Sequence, residues 1–162
     1  MDLLPCPPDH ACECAARWVD KAGLLSEADH LVLVLPYTRD NHHIIGAREL
    51  ALMKRGSVLV NIARGGLVDE AALAAALREG RLAAAGLDVF EDEPVVHPDL
   101  LALEQVVLSP HLGSASADTR RNMAELAVDN VLAGLGVGPR AGRPPAPINP
   151  HVLAMRGRGG KA

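Results

Sequence analysis

Polar side chains at three places in the sequence are of the types needed to bind and protonate an organic acid. Arg64 follows the apolar run 57–62, Asp88 and the acidic group 91–93 come at the end of the run 84–89, and His111 follows the short apolar run 106–108. A guanidinium can hold a carboxylate with two parallel hydrogen bonds. An imidazole titrates near neutral pH, and a carboxylate beside it fixes its tautomer and stabilises its protonated form. Arginine as the anchor and a histidine–glutamate pair as the acid–base group suit reduction of a 2-oxo acid.

Each of these residues also has an ordinary interpretation. An arginine or a histidine in a loop is commonly a solvated side chain, and the acidic group 91–93 could be only a hydrated turn. Their shared placement favours chemistry, because each follows a predicted strand. In an open parallel sheet, ligands bind outside the carboxyl ends of the strands. We therefore expect a cation, carboxylates and an imidazole to meet at one edge of the sheet.

The elements that must position these residues alternate along the chain. Four short apolar runs lack polar alternation and predict strands buried on both faces: 31–35, 57–62, 84–89 and 106–108. Segments of helical spacing predict helices over 47–53, 71–79 and 116–133, with Asp69 as a cap and Gly80 as a stop for the second. The pattern predicts an α/β fold, a partial doubly wound parallel (Rossmann-like) sheet with helices on both faces.

The domain organisation predicted from the sequence has three parts. Residues 1–15 form an irregular leader, residues 16–135 form the α/β part, and the Gly/Pro/Arg-rich residues 136–162 form an extended or disordered tail. A weak strand and a short helical turn are expected within 16–25. The segment 136–141 fits the dinucleotide pattern G-x-G-x-x-G/A, but a helix precedes it and prolines follow, so we do not expect it to bind phosphate.

Composition excludes several classes of protein. The formal net charge is −4 and there are only three aromatic residues, which argues against a nucleic-acid partner. No apolar run approaches the ~20 residues of a membrane span. Three cysteines near one end, Cys6, Cys12 and Cys14, suit a reducing cytoplasm. They lack zinc-site spacing, and adjacent histidines such as His42 and His43 point in different directions on a strand or a helix, so no metal site is expected.

Several long motifs occur in order along the chain: SEADHLVLVLPYT, ALMKRGSVLVNIARGGLVDEAAL, AAGLDVFEDEP, SPHLGSAS and INPHV. At these motifs the sequence resembles the D-isomer-specific 2-hydroxyacid dehydrogenases, and within them the glyoxylate/hydroxypyruvate (2-ketogluconate) reductase branch. The resemblance covers about residues 16–153. It implies an NAD(P)-dependent oxidoreductase that transfers a hydride to a small 2-oxo acid, and a homodimer for the full-length family.

The resemblance also implies roles for individual residues. Arg64 corresponds to the arginine that binds the substrate carboxylate, His111 to the general acid at the carbonyl oxygen, and Glu93 to its carboxylate partner. Asp88 resembles the residue that contacts the nicotinamide carboxamide. The residues implied to contact NAD or NADP are Leu35, Pro36, Ile62, Ala63, Arg64, Asp88, His111, Gly113 and Ser114. Asn41 stands where relatives commonly have a threonine, so a side-chain hydrogen bond there is expected to differ.

Two segments of the family pattern are missing from these 162 residues: the substrate domain and the first βαβ unit with its G-x-G-x-x-G loop. The sequence therefore predicts the C-terminal portion of an NAD(P)-binding domain that keeps its catalytic residues, is inactive by itself and would transfer a hydride only if another polypeptide supplied the missing half. One alternative is a catalytically inactive truncated fragment or an interaction partner of a full-length dehydrogenase. Another is a Ser-His-Asp hydrolase built from Ser109 or Ser114, His111 and Asp88, which the lack of a G-x-S-x-G elbow disfavours.

Overall fold

The computed structural model describes residues 17–151, and the chain divides into two compact units after Gly113. The first unit contains a four-stranded parallel sheet in the order β1-β2-β3-β4. Its strands are β1 (His30–Leu33), β2 (Ser57–Asn61), β3 (Leu82–Leu87) and β4 (Val106–Leu108). Its α-helices are α1 (Lys21–Glu27), α2 (Ala47–Leu52), α3 (Glu70–Arg78) and α4 (Pro98–Leu101), and short 3₁₀ helices occupy Arg39–Asn41 and Gly65–Leu67.

The predicted α/β fold class and parallel sheet are confirmed. All four predicted strands are present, and β3 begins and ends two residues before its predicted bounds. Helix α3 begins as its sequence predicts, because the Asp69 carboxylate accepts a hydrogen bond from the backbone N–H of Ala72 at 2.9 Å. It is followed by Gly80, whose φ of +64° favours glycine. The short helix α4 was not predicted, and residues 17–20 contain no strand.

The expectation that the strands are buried on both faces is wrong. Leu31 and Leu59 are buried, but Val32 and Val107 are 48% and 72% exposed. Successive strands lie side by side in chain order, and right-handed crossovers then put the connecting helices on the same face. Helices α1 to α4 contact one another in that order. In the first unit they therefore cover one face of the sheet, and apolar residues on the other face are exposed.

The register of the sheet aligns the carboxyl ends of its strands. Leu33 pairs with Asn61, Asn61 pairs with Leu87, and Leu87 pairs with Leu108. These four residues form one row across the sheet, so the loops that follow the strands start at the same level. The loops that carry the predicted chemistry thus begin beside one another.

The second unit is built around α5 (Ala117–Gly134), which begins at the capping side chain of Ser116. From 136 to 149 the described residues form no helix or strand. They return to the helix, because Gly142 N donates to Ala133 O at 2.7 Å and Ala146 N donates to Asn130 Oδ1 at 3.0 Å. The glycine match at 136–141 thus follows a helix without starting one, as the sequence predicted.

Some predictions fall on residues 1–16 and 152–162, which lie outside the described part of the structure. These include the leader, the three cysteines and the end of the tail. Among residues 17–151, every helix is too short or too polar to cross a membrane.

Candidate active site

Arg64, Glu93 and His111 line one cavity of about 610 Å³ at the carboxyl edge of the sheet. The loops after β2, β3 and β4 supply one residue each, as the strand-end argument predicted. The other residues around the cavity are Tyr37, His42, Gly65, Gly66, Phe90, Glu91 and Asp92. The structure therefore brings together a cation, an imidazole and several carboxylates.

The imidazole of His111 contacts the Glu93 carboxylate. His111 Nδ1 lies 2.8 Å from Glu93 Oε2 and 3.1 Å from Oε1. An ionised carboxylate only accepts hydrogen bonds, so the Nδ1 proton points at Glu93 and Nε2 is left to exchange a proton with a ligand. The hydrogen bond from His111 lowers the pKa of Glu93 below its ordinary value, with smaller contributions from Phe90 N–H and the charge of Arg64.

Asp88 holds the loop that presents His111. The Asp88 side chain is 8% exposed, and its Oδ1 accepts from Ser109 Oγ at 2.5 Å and from Leu112 N at 2.7 Å. Its Oδ2 accepts from Gly113 N at 2.8 Å. The bond from Ser109, followed by that from Leu112, lowers the pKa of Asp88. His111 has a φ of +53°, a left-handed conformation that costs a non-glycine residue about 1–3 kcal/mol and that these bonds stabilise.

The loop of Arg64 is fixed by a buried side chain beneath it. Asn61 is 1% exposed, and its amide accepts from Ala63 N at 3.1 Å and donates to Arg64 O at 2.9 Å. The next residue, Gly65, approaches the following loop so closely that a Cβ there would lie 1.8 Å from the carbonyl carbon of Phe90. This contact sets the loops of Arg64 and Glu93 side by side.

A second cleft of about 550 Å³ adjoins Arg64. It is lined by five of the residues predicted to contact the cofactor and by two others: Leu35, Pro36, Ile62, Ala63, Arg64, Val34 and Tyr37. Asn41 supports its wall, since Asn41 Nδ2 donates to Pro36 O at 2.8 Å and Asn41 Oδ1 accepts from Thr38 N at 2.7 Å. Side-chain hydrogen bonding is thus present at the position where relatives commonly have a threonine.

The other residues predicted to contact the cofactor do not line this second cleft. Gly113 N binds Asp88, and Ser114, with a φ of +58°, belongs to the second unit. A contact of Asp88, Gly113 or Ser114 with a cofactor stays a prediction. Among residues 17–151, no group of three or more His, Cys, Asp and Glu side chains could hold a metal ion.

The contacts of Ser109 do not support its place in the hydrolase alternative. Ser109 Oγ donates to Asp88, and His111 Nδ1 faces Glu93, so Ser109 has no contact with an imidazole base among the described hydrogen bonds.

Sequence reasoning missed a cluster on the far side of the cavity. The rings of His42 and His43 stack with centroids 3.8 Å apart, and Tyr37 Oη lies 3.1 Å from His42 Nδ1. The expectation that the two histidines point apart is wrong, because His43 has a φ of +51° and belongs to neither a strand nor a helix. His43 Nε2 lies 3.2 Å from Glu91 Oε2 without hydrogen-bond alignment. The rule that polar residues after a strand line the site could have found Tyr37 and His42.

A parallel α/β sheet with a polar cavity at the carboxyl ends of its strands is the arrangement of nucleotide-binding folds. Comparison with known proteins gives the family. The family model for the D-isomer specific 2-hydroxyacid dehydrogenase NAD-binding domain matches residues 5–113, and the chain belongs to that family. It is 54% identical over 121 residues to glyoxylate/hydroxypyruvate reductase B of Erwinia tasmaniensis, covering 74% of this chain and 38% of the relative.

Two solved structures show the same likeness. The NADPH-dependent glyoxylate/hydroxypyruvate reductase of Sinorhizobium meliloti, in complex with NADP and malonate, is 42% identical with a TM-score of 0.69, covering 73% of this chain and 37% of that one. The D-lactate dehydrogenase of Aquifex aeolicus, complexed with NAD and lactic acid, is 30% identical with a TM-score of 0.73, covering 81% and 44%. The chain thus spans well under half the length of each of these relatives.

The close approach at Gly65 predicts that Gly65→Ala destabilises the first unit. The new methyl group would overlap the backbone of Phe90, which cannot move without displacing the Glu93 loop. We expect a loss of about 1–3 kcal/mol or more in the free energy of unfolding, measured by urea denaturation. In the matched variant Gly66→Ala the Cβ meets the Tyr37 ring edge at 2.8 Å, and a side chain can rotate away. An equal loss in both variants would contradict the prediction.

The Asp88 hydrogen bonds predict a pH-dependent effect of Asp88→Asn. An amide has one acceptor oxygen for three donors, so we expect about 1–3 kcal/mol less stability at pH 7. Folding lowers the pKa of Asp88, so its charge contributes fully to the free energy of unfolding when the pH is above the ordinary pKa of 3.8. That contribution is lost as the pH falls through the lowered pKa of the folded state. The difference from the parent protein should therefore shrink in acid.

Urea denaturation from pH 7 to pH 2 would measure this difference. Asp99→Asn is the control, because Asp99 forms only an exposed ion pair with Arg78 and should change stability by less than about 1 kcal/mol. A difference for Asp88→Asn that stays constant down to pH 2 would refute the assigned role of its charge.

Proposed function

We propose that this chain carries the substrate-binding and acid–base residues of an NAD(P)-dependent dehydrogenase that reduces small 2-oxo acids such as glyoxylate or hydroxypyruvate. The observation that carries the proposal is the contact of His111 Nδ1 with Glu93, at 2.8 Å, in the cavity that Arg64 also lines. The names of the related reductases support the substrate class.

Arg64 is the anchor for the substrate carboxylate in this proposal. Its guanidinium is exposed at the cavity, while Asn61 and Gly65 fix its backbone from below. One Nη1–H already donates to Ala63 O, at 2.5 Å, which leaves other N–H groups for the ligand. Two parallel hydrogen bonds to the carboxylate would direct the neighbouring carbonyl group into the cavity.

His111 protonates the carbonyl oxygen from Nε2. The Nδ1–H bond to Glu93 orients the ring, and the carboxylate stabilises the imidazolium form that gives up the proton. In the reverse direction the neutral imidazole takes the hydroxyl proton of the 2-hydroxy acid. Bound nicotinamide would supply or accept the hydride.

The cleft beside Arg64 fits part of the cofactor. Its walls of Leu35, Pro36, Ile62 and Ala63 are apolar and suit a flat ring held next to the anchor residue. A helix N-terminus that follows a strand through G-x-G-x-x-G would bind the pyrophosphate. Residues 17–151, which the structure describes, contain no such arrangement. We therefore propose that the polypeptide alone binds NAD(P)H weakly and has no turnover.

Association with another chain is a second part of the proposal. Val32 and Val107 on the open face of the sheet are exposed, and large exposed apolar surfaces commonly serve as interfaces. A homodimer or a complex with a full-length dehydrogenase would cover this face. A reducing, cytoplasmic setting accords with the three cysteines.

The test is a titration of the purified polypeptide with glyoxylate or hydroxypyruvate. Binding is monitored through the imidazole NMR signals of His111. We expect saturable shifts, with affinity reduced about 10-fold or more in Arg64→Gln because a charged hydrogen-bonded anchor is lost. Arg55→Gln is the matched control, since Arg55 lies before β2, at the opposite end of the sheet.

Unchanged His111 signals, or equal loss in the two arginine variants, would overturn the proposed site. NAD(P)H oxidation is measured in parallel at 340 nm, and none above the blank is expected. Turnover that disappears in His111→Ala would show that the polypeptide is active by itself.

A further inference from the structure

Glu70 and Glu91 join the acidic loop to the first turn of α3 by two reciprocal hydrogen bonds. Glu70 N donates to Glu91 Oε1 at 2.8 Å, and Glu91 N donates to Glu70 Oε1 at 2.9 Å. Glu70 is only 5% exposed, so water cannot readily replace either bond. The backbone and the side chain of Glu91 are thus both held by one residue of the helix.

Burial and neighbouring charges both act on the carboxyl groups of Glu70 and Glu91. Burial raises the pKa of Glu70, and the nearby charge of Glu91 adds to that effect. The Glu91 carboxylate in turn lies at the helix N-terminus, where a negative charge is stabilised, and 3.2 Å from His43 Nε2. The two carboxylates lie close together although they repel. The two hydrogen bonds that offset this repulsion join the acidic loop to α3.

The loop between this anchor and Glu93 is short. Phe90 is buried against the backbone position of Gly65, and Glu93 Oε1 accepts from Phe90 N at 3.1 Å. Glu93 is two residues after Glu91, so a displacement of Glu91 shifts the carboxylate that faces His111. For residues 90–93, the described side-chain hydrogen bonds to α3 are the two between Glu70 and Glu91.

We propose that Glu91 is a positioning residue, which fixes the Glu93 carboxylate on Nδ1 of His111 by anchoring the loop to the first turn of α3. This inference rests on the proposed function, because positioning Glu93 affects catalysis only if His111 is the proton donor. Glu91 itself has no part in proton transfer or in holding the substrate. The Glu91 carboxylate acts mainly by accepting the hydrogen bond from Glu70 N, and its charge in the cavity has the smaller effect.

The sign of a measured change separates positioning from charge. Removing the negative charge of Glu91 acts through space to lower the pKa of Glu93, since repulsion is relieved. Losing the anchor weakens the bond from His111 and raises the pKa of Glu93 toward its ordinary value of 4.5. The pKa of Glu93 can be followed by its carboxyl ¹³C signal in the full polypeptide.

We expect Glu91→Ala to raise the pKa of Glu93. Glu91→Gln should keep it low, because the amide oxygen still accepts from Glu70 N. Glu91→Asp keeps the charge, but its shorter side chain moves the acceptor oxygen away from Glu70 N, so it should also raise the pKa of Glu93. This variant tests the proposal if Glu91→Ala does not fold. Asp92→Asn removes a charge from the same loop and should lower the Glu93 pKa or leave it unchanged.

The proposal is overturned if Glu91→Ala and Glu91→Asp lower the Glu93 pKa or leave it as in the parent. It is also overturned if Glu91→Gln raises it as much as Glu91→Ala does. This readout needs no turnover or ligand, so its failure is distinct from a failure of 2-oxo acid binding at Arg64 and His111.

Discussion

The arrangement of the site depends on the bonds that the Asp88 carboxylate accepts from the loop 109–113. Asp88 follows β3 directly, and the loop follows β4, which is the parallel neighbour of β3. Hydrogen bonds to a charged group are each worth about 1.5–3 kcal/mol, so three of them exceed the cost of the left-handed conformation at His111. Asp88 thereby holds the loop that presents the imidazole of His111 to Glu93.

The sheet supplies the common origin from which these loops depart. Its register places Leu33, Asn61, Leu87 and Leu108 in one row, and the loops after the last three carry Arg64, Glu93 and His111. Gly65 then allows the first two of these loops to touch. The candidate site is thus set by backbone geometry in the first unit and by a few buried polar side chains, Asn61, Glu70 and Asp88. These lie beneath the exposed side chains of Arg64, Glu93 and His111.

Much of this arrangement could be predicted from the sequence, because it follows from local patterns. Apolar runs and a capping Asp69 predicted the strands and α3. The strand-end rule selected Arg64, His111 and the carboxylates after β3, and the family resemblance singled out Glu93 among those carboxylates. Burial was predicted less well, since an apolar run such as 31–35 does not show whether helices cover one face of the sheet or two. That depends on the order of the strands.

The supporting contacts could not be predicted, because they join residues far apart in the chain in conformations that no periodicity marks. Glu91 belongs to an acidic group that would suit a hydrated turn, and its link to Glu70 exists only once α3 packs beside the loop. The stacking of His42 on His43 follows from a left-handed φ at a non-glycine residue, which residue type alone does not show. The residues that hold the loops therefore became visible only in the tertiary contacts, whereas Arg64, Glu93 and His111 could be named from the sequence.

Glu93 sets the tautomer of His111 through the contact at Nδ1, and long-range ¹H–¹⁵N NMR of the imidazole measures that tautomer. We expect neutral His111 to be protonated at Nδ1, with Nε2 as the unprotonated nitrogen. We also expect this preference to weaken in Glu93→Ala. A neutral ring protonated mainly at Nε2, or a tautomer ratio that Glu93→Ala leaves unchanged, would show that Glu93 does not set the tautomer.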